Sequence, residues 1–279
     1  MIGFFAGGAN GGATPAWTPA DLGASLAFWA NEASALTQSG GTASRWDDVR
    51  GNGRYFSQAT GADQPTVNAS GLNGLRTLEF QTSDYMDADS GLFPSTNAKG
   101  YIGFIVVYQN RSSSAATRNV IGAAINGISA IRCGLQASRS GNTDKPTLVG
   151  RRLDGDSGVT LSAATSTSTN WCMAGVRADY ANNDGFVDVN GTLGDAVNTS
   201  LFSGAGNCSA TDTARIRLGG NITNPASNFA DANVAEVLML TGASMPADSD
   251  FDKIFGYLAH KWGLAANLPA LHPYKSAPP

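Results

Sequence analysis

Two carboxyl groups about 5 Å apart would let a protein cleave a glycosidic bond through a covalent intermediate. The acidic residues are therefore the first place to look for chemistry. The chain holds only three glutamates, Glu32, Glu79 and Glu236, and no two are close in sequence. Glu236 alternates with Ala235 and Val237 in an apolar run, where a structural salt bridge or backbone bond is the expected role. Pairs of aspartates stay open to the same chemistry, but no spacing marks one. His260 and His272 are the only histidines. His260 lies beside Lys261, which suits a surface or capping role. There is no G-x-S-x-G elbow and no G-x-x-x-x-G-K-[ST] phosphate loop. A zinc site needs more histidine or clustered cysteine than the chain offers. Cys133 and Cys172 sit in apolar strand patterns and, with Cys208, are expected as buried free thiols. The residues point away from catalysis.

Binding chemistry has better candidates. Asp179 to Asp188, D-Y-A-N-N-D-G-F-V-D, is rich in hard oxygen ligands. Asp179, Asp184 and Asp188 are its candidate metal ligands, and Ca²⁺ is the metal they would suit. The spacing departs from the D-x-[DN]-x-[DN]-G loop, because Tyr180 falls where the first ligand should be. The alternative is a hairpin turn in which Asn183, Asp184 and Gly185 supply unusual backbone angles. Asp154 and Asp156, around Gly155, pose the same choice. A sugar face would need an exposed aromatic ringed by polar groups. Tyr180 and Phe229 lie in polar stretches and fit that role, with Asn182 and Asn183 as hydrogen-bonding neighbours. Trp46 is expected in or near the core. Trp17, Trp29, Trp171 and Trp262 are expected in the core or along a helix seam.

These residues need a scaffold. Tyr101 to Gln109, Y-I-G-F-I-V-V-Y-Q, is the strongest strand and is expected to be covered on both faces. About a dozen further short strands follow the same signals, with turns at Gly51-Asn52-Gly53, Asp154-Gly155-Asp156, Asn182 to Gly185 and Asn190-Gly191. Ala214, Ile216 and Leu218 are expected to face inward, and Arg215 and Arg217 outward. Residues 37 to 42 and 194 to 213 read as loops. Phe251, Ile254, Phe255, Leu258 and Trp262 fall on one face of a helix over 248–262. Acidic residues occupy its first turn, and Gly263 stands at its end. An extended tail follows. The fold class is all-β, a single two-sheet antiparallel β-sandwich over 17–279 capped by this short C-terminal helix. Residues 1–16 form a Gly-rich arm, read either as a disordered leader or as an arm docking on a neighbouring subunit through Phe4 and Phe5.

Three blocks carry a family resemblance. Y-L-A-H-K-W-G-L with L-P-A-L-H-P-Y-K (257–264 and 268–275) resembles the closing signature of laminin-G-like domains in the concanavalin A-like lectin/glucanase superfamily. W-T-P-A-D-L-G-A-S-L-A-F-W (17–29), R-W-D-D-V-R-G-N-G-R-Y-F-S-Q (45–58) and L-N-G-L-R-T-L-E-F (72–80) form a second match. V-A-E-V-L-M-L (234–240) is the third. The resemblance implies a concanavalin A-like jelly roll, common in bacteriophage structural proteins and bacterial surface proteins. Glucanases of this fold carry E-x-D-x-x-E on one strand, and no glutamate here begins that pattern. Laminin-G-like domains often hold Ca²⁺ at the rim, which is what brings the 179–188 loop forward. The implied function is a non-catalytic virion surface protein, a fibre, spike or tail component, whose lectin-like domain contacts host-surface polysaccharide. Its arm would bind other virion proteins, and by analogy with fibres and spikes it would form a homotrimer. The alternatives are an architectural capsid or tail decoration protein without ligand and, less favoured, a polysaccharide hydrolase. The place is the virion surface after synthesis in the host cytoplasm, or else a bacterial surface or secreted location.

Composition agrees with that outline. Of 279 residues 14% are charged, 34 are Gly, and the net charge is −4. That balance gives no footprint for nucleic acid. No apolar run reaches the ~18 residues a membrane span needs. The N-terminus lacks the positive region of a secretory signal.

Overall fold

A computed structural model describes residues 17–81, 83–125, 130–213, 215–221 and 227–279. The arm with Phe4 and Phe5 lies outside them, as does Ala214. Strands β1 (Leu26–Ala30), β2 (Leu36–Ser39), β3 (Thr42–Asp47), β4 (Tyr55–Ser57), β5 (Thr66–Leu72) and β6 (Leu75–Phe80) come first. Then follow β7 (Met86–Ala88), β8 (Tyr101–Asn110), β9 (Arg118–Ile125), β10 (Ala130–Ser138), β11 (Thr147–Gly150) and β12 (Val159–Ser162). Last come β13 (Cys172–Asp179), β14 (Asp184–Val189), β15 (Thr192–Asn198), β16 (Arg215–Leu218) and β17 (Ala232–Gly242), before helix α1 (Asp248–Lys261).

Every strand pairing is antiparallel. The ladder runs β15–β14–β13–β8–β17–β6–β5–β3–β4–β7–β16–β9–β10–β11–β12. β1 flanks β17, and β2 flanks β3. The two ends of the ladder meet, β12 lying against β14 and β15, so the sheet curls back on itself.

The curl has an inside and one covered outside. Strand β8 shows why, since alternate side chains of a strand face opposite ways. Ile102, Phe104, Val106 and Tyr108 point inward, into a cluster with Ile121, Cys133, Leu135 and Ile216. Tyr101, Ile105 and Val107 point outward, into a second cluster with Phe251, Ile254, Phe255, Leu258 and Trp262 of α1. Strand β8 is therefore covered on both faces, as its continuous apolar run predicts. Each such side chain contributes roughly 1.5–3 kcal/mol by leaving water. Helix α1 stops where expected, with Gly263 at φ +70°. Trp46 is 2% exposed, and all three thiols are free and buried.

Three expectations change. Residues 194–198 are not the start of a loop but part of strand β15, folded onto β14 by Asn190 and Gly191 at φ +51° and +81°. Its polar sequence hides the strand, and the turn creates it. Residues 37–42 likewise belong to the β2–β3 hairpin. Arg217 does not face water: its side chain is 2% exposed, and Nε and Nη2 reach the two Asp87 oxygens at 2.8 and 2.9 Å. Its guanidinium also lies 3.9 Å from the Tyr85 ring centre. A partner carboxylate on the adjoining strand β7 is what allows that charge inside.

The tail after α1 is fastened to the helix. His260 Nε2 donates to the Tyr274 carbonyl at 2.8 Å. Lys275 Nζ donates to the carbonyls of Ala265, Ala266 and Leu268 at 3.0, 2.9 and 2.7 Å. Gly256 lets the tail approach, since a Cβ there would stand 2.5 Å from Tyr274 Cβ. In an exposed helix Gly→Ala gains about 1 kcal/mol. Here Gly256→Ala is expected to cost about 1–3 kcal/mol by overpacking, read as a lowered thermal midpoint. An unchanged or raised midpoint would show that the tail is not docked there.

Candidate functional site

The residues expected to meet a sugar are dispersed. Tyr180 is fully buried, donates its hydroxyl to the Arg132 carbonyl at 2.6 Å and packs 4.8 Å from the Phe202 ring. Its ring is a core anchor and presents no face to a ligand. Asn182 Nδ2 donates to Asp179 at 2.8 Å, and Asn183 Oδ1 accepts the Phe202 amide at 2.8 Å. Asn183 has φ +69°, as a turn at this point requires. Phe229 is half-buried, its ring edge against Gly220.

The expected metal set divides in two. Asp179 and Asp184 stand opposite each other across β13 and β14. Burial and the charge of Asp179 push the Asp184 carboxyl above its ordinary value. Asp188 lies four residues further along β14, roughly 13 Å of strand, and is paired with a cation there. Arg177 grips it with Nε and Nη2, both at 2.8 Å. The Gly194 amide adds a bond at 2.7 Å. Three carboxylates so placed cannot share one ion. Among the described residues no three His, Cys, Asp or Glu side chains gather into a metal-sized group.

Each glutamate is likewise engaged. Glu79 pairs with Arg111 at 3.0 Å, and Glu32 with Lys261 at 2.8 Å. Glu236 is fully buried. It accepts the Trp29 and Trp262 indole N–H groups at 2.5 and 2.6 Å and the Lys261 ammonium at 2.9 Å. Its expected structural role is met by two tryptophans and a lysine rather than by backbone.

A different group of residues does converge. At the end of β8, past the residues covered by α1, Gln109 and Asn110 follow the apolar run. Asn233 pairs with Gln109 in the ladder, and Thr169 and Arg111 close the sides. Together they line an open depression of about 410 Å³. The amides form a chain: Asn233 Nδ2 donates to Gln109 Oε1 at 3.1 Å, and Gln109 Nε2 to the Thr169 carbonyl at 2.9 Å. Asn110 Nδ2 donates to the Ser168 carbonyl at 3.1 Å. The buried Oδ1 atoms of Asn110 and Asn233 accept no bond within the protein. An unmade bond at a buried acceptor costs about 1–3 kcal/mol, and the groups that reach the open depression are instead the half-buried Gln109 and Asn233 and the exposed Thr169. Arg111 is held by Glu79 and Asp231 and adds little net charge. The arrangement is a neutral surface of amide groups. The sequence signal was there: polar residues end a long apolar strand at Gln109-Asn110 and open another at Asn233. Only their pairing joins them. A further depression of about 510 Å³ has Asp47 and Asp48 in its wall, but Arg45 and Arg50 neutralise them.

No protein-family model matches the sequence, and no curated protein does. Solved structures do. Trypanosoma rangeli sialidase in complex with the inhibitor DANA aligns at a TM-score of 0.52 and 12% identity, over 88% of this chain and 35% of that one. The likeness is one of fold. The same sialidase in complex with sialic acid aligns at 0.50 and 13% identity, over 85% and 33%. A botulinum neurotoxin serotype D/C binding domain aligns more loosely, at 0.48 and 10% identity, over 84% and 52%. This chain thus spans about a third of the sialidase's length.

Proposed function

We propose that this chain is a glycan-binding module of the concanavalin A-like, laminin-G-like jelly-roll type, without catalytic activity. Its place is the surface of a virion, in a fibre, spike or tail component that contacts host-surface polysaccharide. The observation that carries the binding reading is the open amide depression at Gln109 and Asn233, where polar side chains and the Thr169 carbonyl meet on one face of the sheet. The commitment of all three glutamates to cations supports a non-catalytic role. Other virion proteins would be met through the arm, and a homotrimer would multiply weak single-site affinity.

The test is binding of the purified chain to a glycan array and to candidate host cells, with Asn233→Ala alongside. Asn233→Ala is expected to weaken binding about 5- to 10-fold, the scale of one net hydrogen bond. A folded protein that binds no glycan or cell would sink this reading in favour of an architectural decoration protein. Release of sugar from the array would end the non-catalytic one.

A further inference from the structure

Most arginines of this chain are neutralised by a carboxylate. Arg45 meets Asp47, Arg118 meets Asp231, Arg177 meets Asp188 and Arg217 meets Asp87. Arg139 and Arg151 are different, and they meet at one cleft on β10, β11 and β12. Arg139 donates Nη1 to Gln136 Oε1 at 3.2 Å, and Arg151 donates Nη1 to the Asp156 carbonyl at 2.8 Å. Neither pairs with a carboxylate among the described residues. The Asp156 carboxylate takes the Leu153 amide at 2.9 Å and the Ser203 hydroxyl at 2.5 Å on Oδ2, and feels Arg151 and Arg152 only through space. Arg151 Nε is buried and donates to no partner within the protein. The cleft holds about 260 Å³, with Gly150 and Gly158 in its lining. That is below the ~300–1,000 Å³ of drug-sized pockets and suits one sugar ring. Ile131 and Val159 give it apolar wall, and Thr160 adds a hydroxyl. No acidic side chain lines it.

We propose that this cleft is a second saccharide site, selective for a sugar bearing an anionic group, with Arg139 and Arg151 binding the anion. The planar guanidinium presents paired N–H donors that match the two oxygens of a carboxylate or a sulfate ester. The aliphatic wall would meet the C–H face of the ring, and the exposed Thr160 a hydroxyl. A cleft lined by two cations and no carboxylate favours an anionic group over a neutral ring. The site rests on the glycan-binding reading but uses different residues from the amide depression.

The experiment is calorimetric titration of the full chain with methyl glucoside, methyl glucuronide and glucose 6-sulfate at 50 mM salt. A charged sugar is expected to bind at least ~10-fold more tightly than the glucoside, the scale of a charge-assisted pair. Preference for the glucuronide alone assigns a carboxylate ligand, and preference for the sulfate alone assigns a sulfate ester. Arg139→Met and Arg151→Met should each abolish the preference, leaving glucoside binding and its loss in Asn233→Ala unchanged. Arg151→Lys, which keeps charge and fold, should retain part of it. Raising salt to 500 mM should weaken the charged sugars selectively. Equal binding of all three sugars, or a preference that survives both Met substitutions, overturns the anionic site and leaves the glycan reading standing. No binding of any sugar overturns both.

Discussion

Glu236→Gln is expected to destabilise this protein by about 3–5 kcal/mol, the cost of breaking a buried ion pair from one side. The carboxylate is fully buried beneath α1 and ties its own strand β17 to two elements: β1 through Trp29, and the end of α1 through Lys261 and Trp262. Indole N–H groups only donate, so a Gln side chain must turn its own N–H donors toward one of them. Lys261 would keep only Glu32 as a carboxylate partner. Burial raises the Glu236 carboxyl above its ordinary value, while Lys261 and the indoles oppose that rise. Burial alone would lower the Lys261 ammonium, but Glu236, Tyr257 and Glu32 outweigh it and hold it above its ordinary value. A raised lysine gives stability that is complete below its unfolded pKa of about 10.4 and is lost as pH climbs beyond it. Urea unfolding from pH 7 to 11 should show wild type losing stability above about pH 10, and Glu236→Gln losing less over that range. A variant within about 1 kcal/mol of wild type at pH 7 would show that the cluster does not clamp the helix to the sheet.

Arg177→Met ranks second. Arg177 lies between the Phe186 and Phe251 rings, with both ring centres 4.5 Å from its guanidinium carbon. It binds Asp188 through two nitrogens and the helix residue Asp248 at 3.0 Å. The pair's side chains are 2% and 0% exposed. Removing the cation strands a buried carboxylate, at about 3–5 kcal/mol. Burial already raises the Asp188 carboxyl, with Arg177 pulling the other way. Without Arg177 the carboxyl rises further. A raised carboxyl contributes stability at low pH that is lost as pH rises through the folded value. The deficit of Arg177→Met should therefore shrink when unfolding is measured at pH 5 instead of pH 8. The double change Arg177→Met with Asp188→Leu should recover most of the loss, because a well-packed apolar pair often matches a buried ion pair. A double variant no better than the single one would mean that Arg177 acts through its ring contacts and Asp248 instead.

Local sequence carried a large part of this fold. The steps of three and four from Phe251 to Trp262 define α1, and Gly263, at φ +70°, ends it. The unbroken run of β8 announces a strand buried on both faces, and alternation divides it between two clusters. Asn190-Gly191 fixes a hairpin. These features rest on interactions within one turn or one strand, so neighbouring residues suffice to determine them.

Polar residues are where sequence reasoning ran out. Tyr180, in a polar stretch, is pulled inside by a carbonyl 48 residues away. Arg217 looks like a solvent-facing charge until Asp87 arrives on a neighbouring strand, and Arg177 is likewise held inside by Asp188. Asp179, Asp184 and Asp188 share one short segment, yet β14 spaces them and Arg177 claims the last. The amide depression joins residues 109–111, 169 and 233, which meet only once β8 and β17 are paired. An apolar side chain is driven inside by water whatever its neighbours are. A polar one is buried or exposed according to the partner it finds, and in this chain those partners come from distant strands.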